Sequence, residues 1–287
     1  MAARGVRVAL QLTPSLRSGT EARTLKVLFL GDVFAKPGRQ AVKRLVPKLI
    51  TVHGLDLVVA NSENSAGGSG VTPESADELL ACEVNLLTGG NHIWSKREII
   101  PYLDAKGSRQ LRPANYPKGA PGRGSGIAET PDGRRLGVIN LEGRVFMKAL
   151  DDPFQVVEEE LAALRKDGVT CVLVDMHCEA TSEKNAMGHY LDGRVSAVVG
   201  THTHIQTADE RVLAGGTAYI TDVGMCGPWD SVIGVKKELV LQRFTSQRPV
   251  GFEPARRETH LQGAIIDIDE ASGKARSIVR VQELLPD

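Results

Sequence analysis

The chain has 287 residues with 35 basic and 35 acidic side chains, so its formal charge is zero. That balance excludes a protein whose main task is to grip a nucleic-acid backbone, which carries a clear basic surplus. A hydrophobic fraction of 41% excludes an acidic disordered chain, and aromatics at only 4% call for an aliphatic core, as in a sheet buried on both faces.

The first 24 residues hold Arg4, Arg7, Arg17 and Arg23 against one acid, Glu21. They can be read as a transit peptide, but the preferred reading is a disordered extension over residues 1–24, with one domain over residues 25–287 that is mildly acidic. From Leu25 the pattern alternates. Val27 to Leu30 is a short apolar run expected to be a buried strand. Gln40 to His53 places Val42, Leu45, Val46, Leu49 and Ile50 at helical spacing, with Pro47 as a distortion. Leu57 to Ala60 is a second strand. Thr72, Pro73 and Glu74 open a helix as N-cap, first-turn proline and first-turn acid, running to about Cys82.

Val84 to Thr88 is a third strand, and Ser95 to Glu98 has the form of a capping box opening a helix to about Ala105. Proline and glycine crowd the stretch from Pro113 to Gly126, a long loop. Beyond it come a strand over Val138 to Leu141, a helix over Phe154 to Arg165, and strands over Cys171 to Met176, Ala197 to Gly200 and Ala218 to Thr221. Ala264 to Ile268 and Ser277 to Leu284 read as an antiparallel pair turned at Ala271 to Gly273. Early strand–helix alternation with late antiparallel strands indicates a layered α/β fold. No apolar run approaches the ~18 residues of a bilayer span. Cys82, Cys171, Cys178 and Cys226 form no paired motif, so a reducing cytoplasm is expected.

The chemistry sits directly after the strands, where ligands bind in α/β sheets. Asp32 follows the first strand, Glu63 and Asn64 the second, and Asn91 and His92 the third; His177 and then His202 and His204 follow later ones. Singly, each is an ordinary turn, cap or surface residue. Jointly, four of the seven histidines and two carboxylates fall at strand ends. In an extended segment, His202 and His204 would point to one side. Imidazole, carboxylate and amide oxygen without thiolate suit Mn, Fe or Zn, and six or more candidate ligands fit two ions bridged by a carboxylate. Arg39 is a candidate phosphate contact or a solvated first-turn residue. Glu183 and Lys184 could form a structural ion pair.

These residues lie in blocks that resemble the YmdB-type branch of the calcineurin-like metallophosphoesterases. The blocks are Gly31-Asp32-Val33, Pro37-Gly38-Arg39, Asn61-Ser62-Glu63-Asn64, Gly90-Asn91-His92, Asp175-Met176-His177, Glu179 to Lys184, Gly200 to His204, and Thr221 to Met225. The resemblance implies an αββα four-layer sandwich with a two-metal site. It implies that Asp32 and His204 bind one ion, Glu63 bridges, and Asn91, His177 and His202 bind the other, with Asn64 a further contact. It makes His92 the proton donor, and it implies iron in a phosphodiesterase whose substrates include 2′,3′-cyclic nucleotides. Val33-Phe34 replaces the Asp-x-His of the wider superfamily and Glu63-Asn64 its Gly-Asp, both normal in this branch, and Ala35 stands where the branch usually has glycine.

The expected reaction is attack on a small nucleotide-like phosphodiester by a hydroxide bridging two cations, with His92 as general acid. Stable nucleic-acid or membrane association is not expected, and a homo-oligomer is left open. The rival readings are a serine esterase of the SGNH type, which needs a serine where Val33 stands, and a metal-binding regulatory or scaffold protein without catalysis.

Overall fold

The computed structural model describes residues 23–286, so nearly all of the expected N-terminal extension lies outside the described residues. The chain builds β1 (Thr24–Leu30), β2 (Asp32–Val33), α1 (Ala35–His53), β3 (Leu57–Asn61), α2 (Pro73–Leu80), β4 (Leu86–Thr88) and α3 (Ile99–Asp104). After the long loop come β5 (Ser125–Glu129), β6 (Arg135–Glu142), α4 (Pro153–Lys166), β7 (Cys171–His177), α5 (Thr181–Tyr190), β8 (Ala197–Thr201) and β9 (Arg211–Val212). The last elements are β10 (Ala218–Ile220), β11 (Met225–Pro228), α6 (Lys237–Ser246), β12 (Thr259–Asp269) and β13 (Ala275–Leu284).

Two sheets form. The first has seven strands in the order β2-β11-β12-β1-β3-β4, with β13 paired to β12; the second has six, in the order β5-β6-β7-β8-β10-β9. β1, β3 and β4 run parallel, as do β6, β7, β8 and β10. Side chains alternate across each strand. Leu25, Val27 and Phe29 of β1 meet Leu136, Val138, Leu173 and Val199 of the second sheet in the central layer. Leu28 and Leu30 turn outward against Val42, Val46 and Leu79 of α1 and α2. On the far side, Ile139, Val172, Val174 and Val198 pack against Val157 and Leu161 of α4 and Met187 of α5. The strands read as continuous apolar runs because both faces are covered. The result is the calcineurin-like αββα sandwich.

Local signals explain most boundaries. Thr72 caps α2 by accepting from the Ser75 backbone N–H, and Ser75 returns the bond. Asp152 caps α4, with Pro153 at its first position. α1 begins at Ala35, five residues earlier than its apolar stripe, and Ala35 takes φ 52°, the left-handed conformation that favours the glycine usual there. The capping box expected at Ser95 to Glu98 does not form. Those residues are spent in turns, with Ser95 N–H donating to His92 and Ile99 N–H to Lys96, and α3 starts only at Ile99. α5 and α6 carry no apolar stripe that would announce them. α5 buries Glu183, Lys184 and Gly188 beside Met187, and α6 buries Val240 alone. All four cysteines are free thiols. Among the described residues, no helix is long and apolar enough to cross a membrane.

Phe29 is fully buried between the sheets, so Phe29→Ala should lower unfolding free energy by about 3–5 kcal/mol in urea titration. A loss below about 1 kcal/mol would contradict its place in the central layer.

Candidate metal centre

The carboxyl ends of β1, β3 and β4 in one sheet and of β7 and β8 in the other point to the same end of the sandwich. Asp32 stands just past β1, Glu63 and Asn64 past β3, and Asn91 and His92 past β4. His177 ends β7, and His202 and His204 follow β8. These residues meet. Glu63 Oε1 lies 3.1 Å from His177 Nε2, and Asn91 Oδ1 and His202 Nδ1 lie 2.9 and 3.1 Å from that same nitrogen. Glu63, His177 and His202 each present a ligand atom within 4.8 Å of the others. On the other side of Glu63, His204 Nε2 lies 3.7 Å from Asp32 Oδ1.

The protonation pattern of the imidazoles decides what this cluster can hold. His177 Nδ1 lies 2.8 Å from Thr201 Oγ1, whose own hydroxyl donates to Asp175 Oδ1 at 2.7 Å. The His177 Nδ1 therefore carries a hydrogen and Nε2 faces the centre. His202 Nε2 faces Glu179 Oε2 at 3.1 Å, leaving Nδ1 inward. His204 Nδ1 donates to the Ile233 carbonyl at 3.0 Å, leaving Nε2 inward. Each outer nitrogen donates to an oxygen, so each inner nitrogen can offer a lone pair once any proton on it is displaced, the arrangement of metal-binding histidines. Two inward lone pairs 3.1 Å apart, with a carboxylate and an amide oxygen beside them, fit a cation between them.

The local charges point the same way. Burial pushes the Glu63 carboxyl up, but His177 and His92 outweigh it and hold it well below the usual range. For His177, burial pushes down while the carboxylates of Glu63, Asp32 and Asp175 lift it to about 9. His202 is driven to about 3 by burial and by the charge of His177. Asp32 and Asp175 are raised by burial, Asp175 to about 6. Buried carboxylates that force one imidazole to carry charge form a site that calls for positive charge. Gly90 completes the cradle, since any side chain there would collide with Glu63 Oε2 and His177 Nε2.

Four placements differ from the sequence reading. His202 and His204 are not on an extended segment. They take φ 98° and 66°, and their rings go to opposite halves of the centre instead of to one side. Asn64 turns its amide nitrogen toward Asp32 Oδ1, Glu63 Oε1 and His204 Nε2, at 3.4, 3.2 and 3.1 Å, and its oxygen to His92 Nδ1 at 2.9 Å. So placed, its amide nitrogen is a donor among acceptors. Arg39 is occupied, with Nε on Glu78 Oε2 at 2.6 Å and another guanidinium nitrogen on the Ser65 carbonyl. It fastens the loop after Asn64 to α2. Glu183 and Lys184 do not pair with each other; Glu183 accepts from the Arg144 backbone and Lys184 pairs with Asp222.

Sequence reading passed over Asp175, Thr201, Glu179 and the Ile233 carbonyl as groups that orient the rings. Asp175 was findable, because it shares a strand face with His177 two residues on. The Ile233 carbonyl carries no sequence signal. If the cradle is as described, Gly90→Ala should lose at least tenfold in Mn²⁺ affinity by calorimetry, as expected when a metal site is displaced. Wild-type affinity in that variant would contradict it.

Comparison with known proteins agrees with this architecture. The family described as YmdB-like protein matches residues 28–281. A Bacillus subtilis protein named 2′,3′-cyclic-nucleotide 2′-phosphodiesterase is 46% identical over 257 residues, covering 90% of this chain and 96% of that protein. A Thermus thermophilus structure titled as a hypothetical protein superposes with TM-score 0.85 at 40% identity, covering 91% of this chain and all of the other. A Mycoplasma pneumoniae structure titled as a novel phosphatase gives 0.84 at 33%, covering 93% and 95%. The chain belongs to the YmdB-like family and is a hydrolase of the metallophosphoesterase class.

Proposed function

We propose that the protein is a two-metal phosphodiesterase that opens 2′,3′-cyclic nucleotides, with iron, manganese or zinc as the ions. The observation that carries this reading is the set of three imidazoles whose outer nitrogens are all bonded to oxygens and whose inner lone pairs converge around Glu63. In this reading Asp32 and His204 hold one ion, Asn91, His177 and His202 the other, and Glu63 lies between them. The B. subtilis relative's name supports the substrate class. The serine-esterase reading lacks its nucleophile, because position 33 is a fully buried valine. A scaffold without catalysis gives no reason for an exposed imidazole beside the centre.

Divalent ions held there would draw charge from the phosphoryl oxygens and make water nucleophilic near neutral pH. The chain's own groups handle the leaving oxygen. His92 sits at the rim, its side chain 41% exposed, with Nδ1 2.9 Å from Asn64 Oδ1 and 3.5 Å from Glu63 Oε1. Its backbone N–H donates to Glu63 Oε2 at 3.0 Å, which fixes the residue beside the Glu63 carboxylate. Asn64 holds Nδ1, so Nε2 is the nitrogen able to give a proton to the departing ribose oxygen. Water oxygen joins phosphorus, one P–O bond to the ribose breaks, and that oxygen leaves as a hydroxyl.

His92→Ala should keep its metal content, read by elemental analysis, and lose about 10²–10⁴-fold in turnover of 2′,3′-cyclic AMP. Its loss on bis-p-nitrophenyl phosphate should be far smaller, because nitrophenolate departs without a proton. Equal losses on both substrates would refute the proton-donor role. Two equivalents of metal per chain are expected after reconstitution with Mn²⁺ or Fe²⁺. No metal bound and no cyclic nucleotide hydrolysed would refute the function.

A further inference from the structure

Lys184 has no part in the reading above, yet it is a fully buried lysine. Its Nζ donates to the Thr201 carbonyl at 2.8 Å and to Asp222 Oδ2 at 2.7 Å. That same carboxylate oxygen accepts from Thr203 N–H at 3.2 Å and from Thr203 Oγ1 at 2.8 Å. Between these, His202 N–H donates to Asp32 Oδ2 at 3.0 Å. Three consecutive residues, Thr201, His202 and Thr203, thus have a backbone group bonded to a charged side chain. The held segment includes His202 and His204, both non-glycine residues at positive φ, a conformation that persists only where the surroundings impose it. Asp222 Oδ1 also takes the Gly224 N–H at 2.9 Å, and the Gly224 carbonyl accepts from Asp32 N–H at 3.1 Å. The pair therefore touches the supports of Asp32 as well as the histidine loop.

We propose that Lys184 and Asp222 are positioning residues, a buried clamp that holds the Thr201–His204 loop in the strained form sending one imidazole to each half of the centre. This rests on the two-ion reading above. Stability alone does not explain the pair, because buried ion pairs are commonly no better than apolar residues of equal volume. What the pair supplies is direction: a lysine with fixed donors for a carbonyl, and a carboxylate with fixed acceptors for an amide and a hydroxyl. Gly200 leaves room for it, since a side chain there would collide with the Thr221 carbonyl and would lie 2.8 Å from Lys184 Cδ. The clamp also accounts for two sequence blocks that the ligand set leaves unused, Glu179 to Lys184 and Thr221 to Met225.

Because both imidazoles ride on one loop, releasing it weakens both ions together, whereas removing a single imidazole weakens one. The double variant Lys184→Met with Asp222→Asn removes both charges and leaves no unpaired ion in the core. Thr203→Val removes one hydroxyl bond and leaves the ion pair intact. Each is prepared metal-free beside wild type and His204→Ala and titrated with Mn²⁺. Calorimetry gives the two affinities, and electron paramagnetic resonance gives the signal of a coupled ion pair; near-UV circular dichroism and Tm are read alongside.

The double variant should stay folded, lose about 10–100-fold in affinity for both ions, and lose the coupled signal. His204→Ala should weaken one ion, and Thr203→Val should weaken both by a smaller factor. A folded double variant with wild-type affinities overturns the clamp. If the double variant does not fold, unchanged affinities in Thr203→Val overturn it instead. Wild type that binds no Mn²⁺ defeats the two-ion reading itself and takes the clamp with it, a result distinct from either of the others.

Discussion

The molecule depends on the crowding of buried carboxylates and ring nitrogens at one end of the sandwich. Glu63 and Asp32 are wholly buried, and His177, His202 and His204 turn their inner ring nitrogens toward them. Nothing apolar can relieve such a cluster, and water relieves it poorly because burial removes solvent. Positive charge relieves it. In the protein alone that charge is a proton on His177, raised to about 9 against the pull of burial. A divalent ion would supply more of it, bound through the ring lone pairs once that proton has left.

Holding these groups together against repulsion requires rigidity, and the two facing sheets provide it. Each candidate ligand leaves the carboxyl end of a strand whose other residues are locked in apolar layers on both sides. The sandwich brings together residues 145 positions apart, Asp32 beside β1 and His177 on β7, with the central layer fixing the sheet spacing. Neither sheet could build the centre alone, because Asp32, Glu63 and Asn91 come from one sheet and His177, His202 and His204 from the other.

Beneath the inward-facing groups lies a second set of polar groups that hold them. Thr201 and Asp175 orient His177, Glu179 orients His202, and the Ile233 carbonyl orients His204. This burial of polar groups has a visible cost in the helices. α5 places Glu183 and Lys184 where a stability-driven helix would place leucine. Arg39, on α1, serves the same end by tying the loop after Asn64 to α2 through Glu78.

Local sequence was enough for the strands of the core, the capped helix α2, the apolar stripe of α4 and the late antiparallel hairpin. Their signals are local: apolar runs, N-cap residues and turn formers act on neighbours within a few positions. The sequence also named residues that the fold gathers at one end of the sandwich, Asp32, Glu63, Asn91, His177, His202 and His204 among them. Elements with polar interiors, such as α5, and weak stripes, such as α6, were silent because their partners are supplied by distant chain. The same reason hides the Ser95 turn, the donor orientation of Asn64 and the occupation of Arg39 by Glu78. Which face His202 and His204 present was decided only by tertiary structure. Positive φ at a non-glycine residue is imposed from outside, by Lys184, Asp222 and Asp32, and no local rule in the Thr201–His204 segment requires it.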